Sequence, residues 1–524
     1  MSRHLLCAFL LVATLALGNS AHAALHALVI GIDDYQHGSD LFGAVNDAKD
    51  IAAALEQTGA ASVRLLLNEQ AHRDAIFSAW ESLKAEAKSG DTLLLSYAGH
   101  GSQEPERVPG QEQDGMDEVL LLGAYDAKAP ANYQRIVDDE LRKMVLDAAD
   151  FEVVMVFDAC HSGTLNRAVG REVRQQRSRF SNYGAITNDT LPPPPLVQEP
   201  QAGTLEYETY LAASLDSRKT PEIEIDGQQR GALSYFFAQA LRGYADQDND
   251  GTVTRAELRH YIQTNVRQLS EGRQEPTVDF SEKVKTKPLF TNPRKITAPQ
   301  LEQKPLALAA INANADSVTV LQPLQDIVPV ASSEQAELTW DVSAGQIISA
   351  MNDVIAHVST QKADALPYSE VQGVIDKWAG LSRLKKLAER SPLAITILQG
   401  NQLHHQEDIV TFSIEPRRAP YLTLLNWAST GQVQYLYPLA DYNDDPRPAP
   451  DSDFTLDIEV SAPFGADHLI ALTSVQHPKD LQQALQRLDQ QFATKQLLDV
   501  LRTAVETKTV SQIGVLGVYT APKS

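Results

Sequence analysis

Hydrophobic positions follow two alternating patterns over the first half of the chain. Short apolar runs rich in branched residues predict buried strands, and most are followed by a segment with the period of an amphipathic helix. The predicted strands span residues 25–32, 62–68, 91–99, 151–160 and 209–214, and the predicted helices span residues 43–58, 71–88, 137–149, 231–244 and 255–269. Strands that alternate with helices favour a parallel sheet covered on both faces. We therefore predict an α/β fold with a mostly parallel central sheet.

The hydrophobic pattern changes near residues 291–305, and β-type runs dominate from residue 393 onward. The runs at 421–427 and 432–438 are separated by a short polar segment, which predicts a hairpin. Helices are predicted at 374–390 and 480–503, whereas 306–370 is weakly patterned. These changes predict four parts, namely a signal peptide (1–23), an α/β domain (24–295), a linker and helical segment (296–394) and a β-rich domain (395–524).

The first residues have the pattern of an export signal. Arg3 and His4 precede an apolar run at 5–17, and small residues follow as far as Ala23. The run is shorter than the roughly 20 residues that a membrane span needs, so we expect cleavage after Ala23 and no stable membrane insertion. An uncleaved anchor is the alternative. The sequence thus predicts a periplasmic or secreted protein.

Composition narrows the classes of function. The 524 residues carry 45 Lys and Arg against 68 Asp and Glu, a formal net charge of −23, which argues against nucleic-acid binding. The two cysteines are Cys7, inside the predicted signal, and Cys160. A mature chain with one thiol forms no internal disulfide, so Cys160 is either an inert buried residue or a reactive nucleophile.

The surroundings of Cys160 favour the reactive alternative. Cys160 ends one predicted strand, and His100 directly follows another. Because the carboxyl ends of parallel strands meet at one edge of a sheet, the two side chains emerge together if those strands are neighbours. A thiol attacks a carbonyl as the thiolate, and a nearby histidine is suited to take its proton. Gly99 and Gly101 flank His100, and Gly163 lies three residues after Cys160; such glycines allow a substrate backbone to approach closely.

The two segments are YAGHG (97–101) and DACHSG (158–163), and they resemble the caspase-like cysteine peptidases of the metacaspase type found in bacteria. The resemblance covers residues 25–290 and implies a caspase-like sandwich with helices on both faces of the sheet. It also implies that Cys160 is the nucleophile, that His100 is the general base, and that the N–H groups of Gly101 and Cys160 stabilise the oxyanion. The family works as a dyad, so no third carboxylate is assigned. The β-rich part resembles domains appended to bacterial caspase-like proteins.

Metacaspases cleave after Arg or Lys, so the resemblance implies polypeptide substrates with a basic residue at the cleavage site. Asp47 and Asp158 match the acidic residues of the substrate pocket. The alternatives are a carboxylate in the first turn of a helix for Asp47 and a strand-end hydrogen-bond acceptor for Asp158. Many metacaspases have serine where this chain has Ala98, so we expect one hydrogen bond of the substrate pocket to be missing. The family also implies a monomer.

A second motif predicts a metal site. Residues 246–257 match the twelve-residue EF-hand loop, with a glycine at its sixth position. The predicted Ca²⁺ ligands are Asp246, Asp248, Asp250, Thr252 and Glu257. A polar turn followed by a capped helix is the alternative. The acidic segments 113–118 and 137–140 also look similar to those through which many metacaspases are activated by calcium. No organic cofactor is expected.

Two functional hypotheses follow. The first is an exported, calcium-activated cysteine endopeptidase that cleaves after Arg or Lys through an acyl-enzyme. The Arg-rich segment 167–179 would then be a self-processing site. The second is a catalytically silent, caspase-like scaffold that responds to Ca²⁺. Retention of both His100 and Cys160 favours the first, because a silent site need not keep either.

Overall fold

The protein was analysed as a computed structural model. It describes residues 23–108, 115–159, 186–193, 205–213, 222–225, 227–291, 305–313, 316–360, 366–415, 419–439, 445–448 and 452–523. The predicted signal peptide, Cys160 and the Arg-rich segment 167–179 lie outside the described residues, so export and self-processing stay predictions. Within the described ranges, no helix combines the length with the apolar character that a membrane span requires.

The first half of the chain alternates strands with helices. Its elements, in chain order, are β1 (Leu25–Gly31), α1 (Ala44–Thr58), β2 (Ser62–Leu67), α2 (Arg73–Glu86), β3 (Thr92–Ala98), β4 (Gly101–Pro105), β5 (Met116–Leu121), β6 (Arg135–Val137), α3 (Asp138–Leu146), β7 (Glu152–Asp158), β8 (Glu208–Ala212), β9 (Ile223–Ile225), β10 (Gln228–Arg230), α4 (Ala232–Leu241), β11 (Thr252–Thr254), α5 (Arg255–Leu269), β12 (Thr277–Phe280) and β13 (Pro288–Thr291).

Six of these strands form the central sheet, in the order β12-β8-β7-β3-β1-β2. The strands from β8 to β2 are parallel, and only the edge strand β12 runs antiparallel to its neighbour. Helices α1, α4 and α5 cover one face with apolar side chains, and α2 and α3 cover the other. This arrangement confirms the predicted α/β fold with a mostly parallel sheet between helical layers.

Helix α1 packs closely on β1. A Cβ atom added at Gly31 would lie 2.6 Å from the Ala44 carbonyl oxygen, so only glycine lets the helix come this near. The start of α1 is capped by acidic side chains from other segments. Asp33 Oδ1 accepts from the Ala44 N–H at 2.9 Å, and Glu222 Oε1 accepts from the Gly43 N–H at 2.7 Å. Carboxylates are stabilised at this position by the helix dipole.

The second half contains more β-structure. Its elements are β14 (Leu306–Ile311), α6 (Ser317–Leu321), β15 (Ile327–Pro329), β16 (Leu338–Asp341), β17 (Gln346–Ser349), β18 (Val354–His357), α7 (Tyr368–Ala388), β19 (Ile395–Ile397), β20 (His404–His405), β21 (Ile409–Ile414), β22 (Tyr421–Trp427), β23 (Val433–Tyr437), β24 (Phe454–Glu459), β25 (Ala466–Ser474), α8 (Lys479–Gln486), α9 (Thr494–Glu506) and β26 (Gln512–Ala521).

Strands β14 to β18 form a five-stranded sheet in the segment expected to be weakly patterned linker. The strands are short, so their periodicity is weak in the sequence. Farther along, the sheet β20-β26-β25-β22-β23 lies between helices α7 to α9 on one face and the sheet β19-β21-β24 on the other. The predicted hairpin is confirmed, because β22 and β23 pair antiparallel from Leu424–Tyr437 to Trp427–Val433.

The single helix predicted at 480–503 is wrong. The structure has two helices there, α8 and α9, with a turn between them. Gln490 in that turn has a φ of 59°, outside the helical region. Its N–H donates to the Val433 carbonyl at 2.7 Å, and the Val433 N–H donates to the Gln491 carbonyl at 2.9 Å. Pairing with β23 therefore interrupts a segment whose composition favours a continuous helix.

Buried charges join the two halves of the chain. Glu271, just beyond α5, forms an ion pair with Lys385 of α7 and a 3.2 Å contact with His468 Nε2 of β25. Although burial works to raise it, the charge of Lys385 and the hydrogen bond from His468 hold the pKa of Glu271 far below its usual range. Burial also lowers the pKa of His468 to about 4 and that of Lys377 to about 8. His468 is therefore neutral near pH 7 and donates to the Glu271 carboxylate.

We expect this junction to lose stability in mild acid. The unfolded chain protonates His468 near pH 6.5, whereas the folded chain resists protonation down to about pH 4. The melting temperature should therefore fall as the pH drops from 6.5 towards 4. His468→Gln keeps a donor for Glu271 but cannot titrate. Over the same pH range, its melting temperature should therefore fall by a few degrees less than that of the wild type. The matched control is His405→Gln at an exposed position. If the melting temperatures of the wild type and His468→Gln depend equally on pH, His468 does not cause the loss of stability.

Candidate active site

His100 lies at the carboxyl edge of the central sheet, two residues beyond β3. Strands β3 and β7 are direct neighbours, and their register ends at the pair Ala98 and Asp158. The condition that the sequence left open is thus met, because the two strands end side by side. Ala159 is the last described residue before Cys160. The structure therefore brings His100 and the chain segment that leads to Cys160 to the same edge.

The imidazole of His100 is buried and held by the loop that follows β1. His100 is 1% exposed, and its Nε2 lies 2.8 Å from the Ser39 carbonyl oxygen. A carbonyl oxygen can only accept, so Nε2 carries the proton in the neutral ring and Nδ1 holds the lone pair. This tautomer leaves Nδ1 as the atom that can act as a general base.

Two tyrosines fix the backbone around His100, and sequence reasoning missed both. The His100 N–H donates to the Tyr35 hydroxyl at 2.7 Å, and the two rings lie 4.5 Å apart between centroids. The Tyr97 hydroxyl lies 2.6 Å from the Leu121 carbonyl and 2.8 Å from that of His100. A Cβ atom at Gly99 would lie within 2.7 Å of both hydroxyl oxygens, which explains the glycine before His100. The position of Tyr35 shortly after a buried strand was the available signal.

Asp47 and Asp158 are fully buried and contact the same end of helix α4. Asp47 Oδ2 accepts from the Gly231 N–H at 2.8 Å, and Asp158 Oδ2 accepts from the Ser234 N–H at 2.9 Å. Asp47 also lies in the first turn of α1, and Asp158 ends β7. Both therefore also fit the alternatives given above, a first-turn carboxylate and a strand-end hydrogen-bond acceptor. The side chain of Ser234, which the sequence analysis did not single out, is buried at the same place.

Residues 26–167 match the family model for the metacaspase, peptidase C14 domain. This part of the chain is a metacaspase-type domain. The metacaspase family consists of cysteine-type peptidases with a caspase-like fold, as the sequence motifs implied. The matched range includes both His100 and Cys160.

Curated relatives of this metacaspase domain come from fungi. Metacaspase-1A of Aspergillus fumigatus is 26% identical over 259 residues, which cover 41% of this chain and 60% of that protein. Metacaspase-1 of Coccidioides immitis is 26% identical over 256 residues, which cover 41% of this chain and 54% of that protein. The chain thus spans less than two thirds of these relatives' length.

Solved structures similar to the chain include a Geobacter sulfurreducens protein and caspase-1 of Spodoptera frugiperda. The first has a TM-score of 0.38 and 20% identity, over 51% of this chain and 99% of that one. The second has a TM-score of 0.32 and 12% identity, over 49% of this chain and 86% of that one.

The predicted calcium loop lies between α4 and α5, beyond the segment matched by the metacaspase model. Carboxylate oxygens of Asp246, Asp248 and Asp250 lie within 4.8 Å of one another. Glu257 Oε1 accepts from the Gln247 N–H at 3.0 Å, inside the same loop. Burial and the nearby Glu257 raise the pKa of Asp246. The loop therefore gathers three of the five predicted ligand side chains, all with the oxygen donors that Ca²⁺ prefers, and Glu257 hydrogen-bonds to its backbone.

The Thr252 hydroxyl donates to Asp250 Oδ1 at 2.7 Å, so this side chain supports the loop. In an EF-hand the seventh position binds through its backbone carbonyl, which leaves such a hydroxyl available for this role. The capping box is also present, because Glu257 Oε2 accepts from the Thr254 N–H at 2.9 Å. The alternative of a polar turn with a capped helix thus describes the same residues.

A second acidic cluster lies inside the metacaspase domain, where β5 meets the start of α3. Burial and repulsion from Asp139 raise the pKa of Asp117 to about 6. Burial and Glu118 raise the pKa of Asp138 to about 8. These side chains come from the two acidic segments that resemble calcium-activating segments. Their raised pKa values reflect carboxylates that are shielded from water and close to other carboxylates.

We expect Tyr35→Phe to impair the domain without unfolding it. The ring stays, but the buried His100 N–H loses its acceptor, which costs on the order of 1–3 kcal/mol and loosens the imidazole. For peptide cleavage, kcat should fall about tenfold while KM changes less. Tyr421→Phe, on a distant strand of the second half, is the control. A Tyr35→Phe variant with unchanged kcat would show that this contact does not position His100.

Proposed function

We propose that the chain is a cysteine endopeptidase that hydrolyses peptide bonds after Arg or Lys, with Cys160 as the nucleophile and His100 as the base. The observation that carries the proposal is the orientation of His100. Its Nε2–H is committed to the Ser39 carbonyl, and it lies at the strand edge beside the segment that leads to Cys160. Such a fixed tautomer is what a general base requires.

The proposed reaction has two stages. His100 Nδ1 takes the proton of the Cys160 thiol, and the sulfur attacks the substrate carbonyl to form a tetrahedral oxyanion held by the N–H groups of Gly101 and Cys160. The protonated His100 then gives its proton to the leaving amine, and an acyl-enzyme forms. Water, deprotonated by His100, attacks this thioester, and the thiol recovers its proton as the acid product leaves.

Specificity is proposed to come from Asp47 and Asp158. Both carboxylates accept hydrogen bonds from backbone N–H groups of one helix end, which stabilise negative charge without neutralising it. A guanidinium or ammonium group of the substrate would supply the opposite charge. A cavity of about 570 Å³ that includes Tyr35 in its lining also contains the acidic side chains of Asp34, Asp40 and Glu69.

Cleavage of fluorogenic peptides tests the proposal. The wild type should release the fluorophore after Arg and Lys but not after Asp, and Cys160→Ala should abolish release. Asp158→Asn keeps the acceptor for Ser234 but removes the charge, so KM for Arg peptides should rise about tenfold or more. The control is Asp457→Asn, at an exposed position on β24. If the wild type does not cleave and an arginyl chloromethylketone leaves Cys160 unlabelled, the scaffold hypothesis replaces the peptidase.

Calcium is proposed to activate the enzyme and to promote cleavage within 167–179. Two regions support this proposal, the loop with Asp246, Asp248, Asp250 and Glu257 and the cluster with Asp117 and Asp138. Bound Ca²⁺ would offset carboxylate repulsion in either region. A substitution that alters enzyme activity but leaves the stabilisation by Ca²⁺ in place would show that the two regions have different roles.

We expect millimolar Ca²⁺ to raise the melting temperature by a few degrees and to increase peptide cleavage. If the loop binds the ion, Asp246→Asn should remove most of the stabilisation by Ca²⁺. If the cluster with Asp117 and Asp138 activates the enzyme, Asp138→Asn should remove the activation by Ca²⁺. On a gel, the wild type should be cut during the same incubation and Cys160→Ala should stay intact. The absence of any Ca²⁺ effect on stability, activity and self-cleavage would contradict the proposal.

A further inference from the structure

Helix α4 connects the two acidic side chains of the proposed pocket to the second half of the chain. We propose that Tyr235 is a positioning residue, through which Lys386 and Glu389 of the α7 end hold α4 in place under Asp47 and Asp158. The inference rests on the proposed peptidase function for its consequence, namely substrate affinity. The mechanical link itself rests on contacts between described residues.

The first step is the attachment of the acids to the start of α4. Gly231 and Ser234 provide the N–H groups for Asp47 and Asp158 at 2.8 and 2.9 Å. These hydrogen bonds cross from α1 and β7 to one helix end. The relative position of the two carboxylates therefore depends on where α4 lies.

The second step is the contact at the next residue. Tyr235 is 3% exposed, and its ring packs edge-on against Phe236. Its hydroxyl accepts from Lys386 Nζ at 2.5 Å and lies 3.4 Å from Glu389 Oε2, to which it can donate. Because Tyr235 directly follows Ser234, a displacement of its side chain is transmitted to the N–H group that binds Asp158.

The third step is the rigidity of the α7 end. The neighbouring Lys385 forms the buried ion pair with Glu271, and Asn265 Nδ2 of α5 donates to the Glu389 carbonyl at 3.3 Å. Glu389 itself is 7% exposed. The end of α7 that contacts Tyr235 is thus attached to the α4–α5 layer by this ion pair and this hydrogen bond. A fixed support of this kind can set the position of α4.

Kinetics of matched tyrosine variants test the inference. Tyr235→Phe removes only the hydroxyl at the α4–α7 contact. Tyr244→Phe removes the hydroxyl that accepts from Arg390 Nη2 at 3.3 Å at the same junction, but beyond the carboxyl end of α4. For Arg peptides, Tyr235→Phe should raise KM about threefold to tenfold with little change in kcat. Tyr244→Phe should match the wild type in both constants.

Lys386→Met should reproduce the rise in KM, and the double variant with Tyr235→Phe should show no larger rise than either change alone, because the two groups act as a unit. Additive effects, or equal KM values for Tyr235→Phe and Tyr244→Phe in an active enzyme, would overturn the inference.

Amide hydrogen exchange gives a readout that needs no activity. In Tyr235→Phe, and not in Tyr244→Phe, the amides of residues 231–235 should exchange about threefold to tenfold faster. If the wild type cleaves no peptide but this difference appears, the peptidase function fails and the positioning role stands. If neither variant changes exchange in this segment, the positioning role fails whether or not the enzyme is active.

Discussion

The parallel pairing of β3 with β7 is the constraint on which the candidate site depends. Seven consecutive residue pairs align the two strands, and the last pair, Ala98 with Asp158, sets where both chains leave the sheet. A slip of one residue would turn every side chain of one strand to the opposite face, which the apolar layers on both faces forbid. The point where both chains leave the sheet is therefore fixed by core packing.

Buried and half-buried carboxylates follow a common rule in this molecule. Asp33 and Glu222 cap the start of α1, and Asp47 and Asp158 bind the start of α4. In each case backbone N–H groups at a helix end stabilise the charge, with support from the helix dipole. This solution differs from the ion pair of Glu271, where a cation compensates the charge.

The sequence contained the sheet and the motifs with His100 and Cys160, the proposed catalytic pair, but not the surroundings of His100. Strands such as β3 are uninterrupted apolar runs, so they were predicted within one or two residues, and the motifs located His100. The short strands β4 to β6 and β14 to β18 carry too few residues for a clear period. Tyr35 and Ser234 act through contacts between distant segments, and the turn at Gln490 depends on β23. No local pattern encodes such contacts.

The depth of Asp47 and Asp158 has a consequence for how ionic strength acts on the protein. The many exposed carboxylates behind the net charge of −23 attract cationic peptides over a distance, but dissolved ions weaken that attraction beyond a Debye length of about 10 Å at 0.1 M. Two carboxylates with no exposed surface are shielded far less from a bound partner. If Asp47 and Asp158 bind a basic side chain as proposed, added salt should therefore slow the encounter with a basic polypeptide more than it weakens the binding of that side chain.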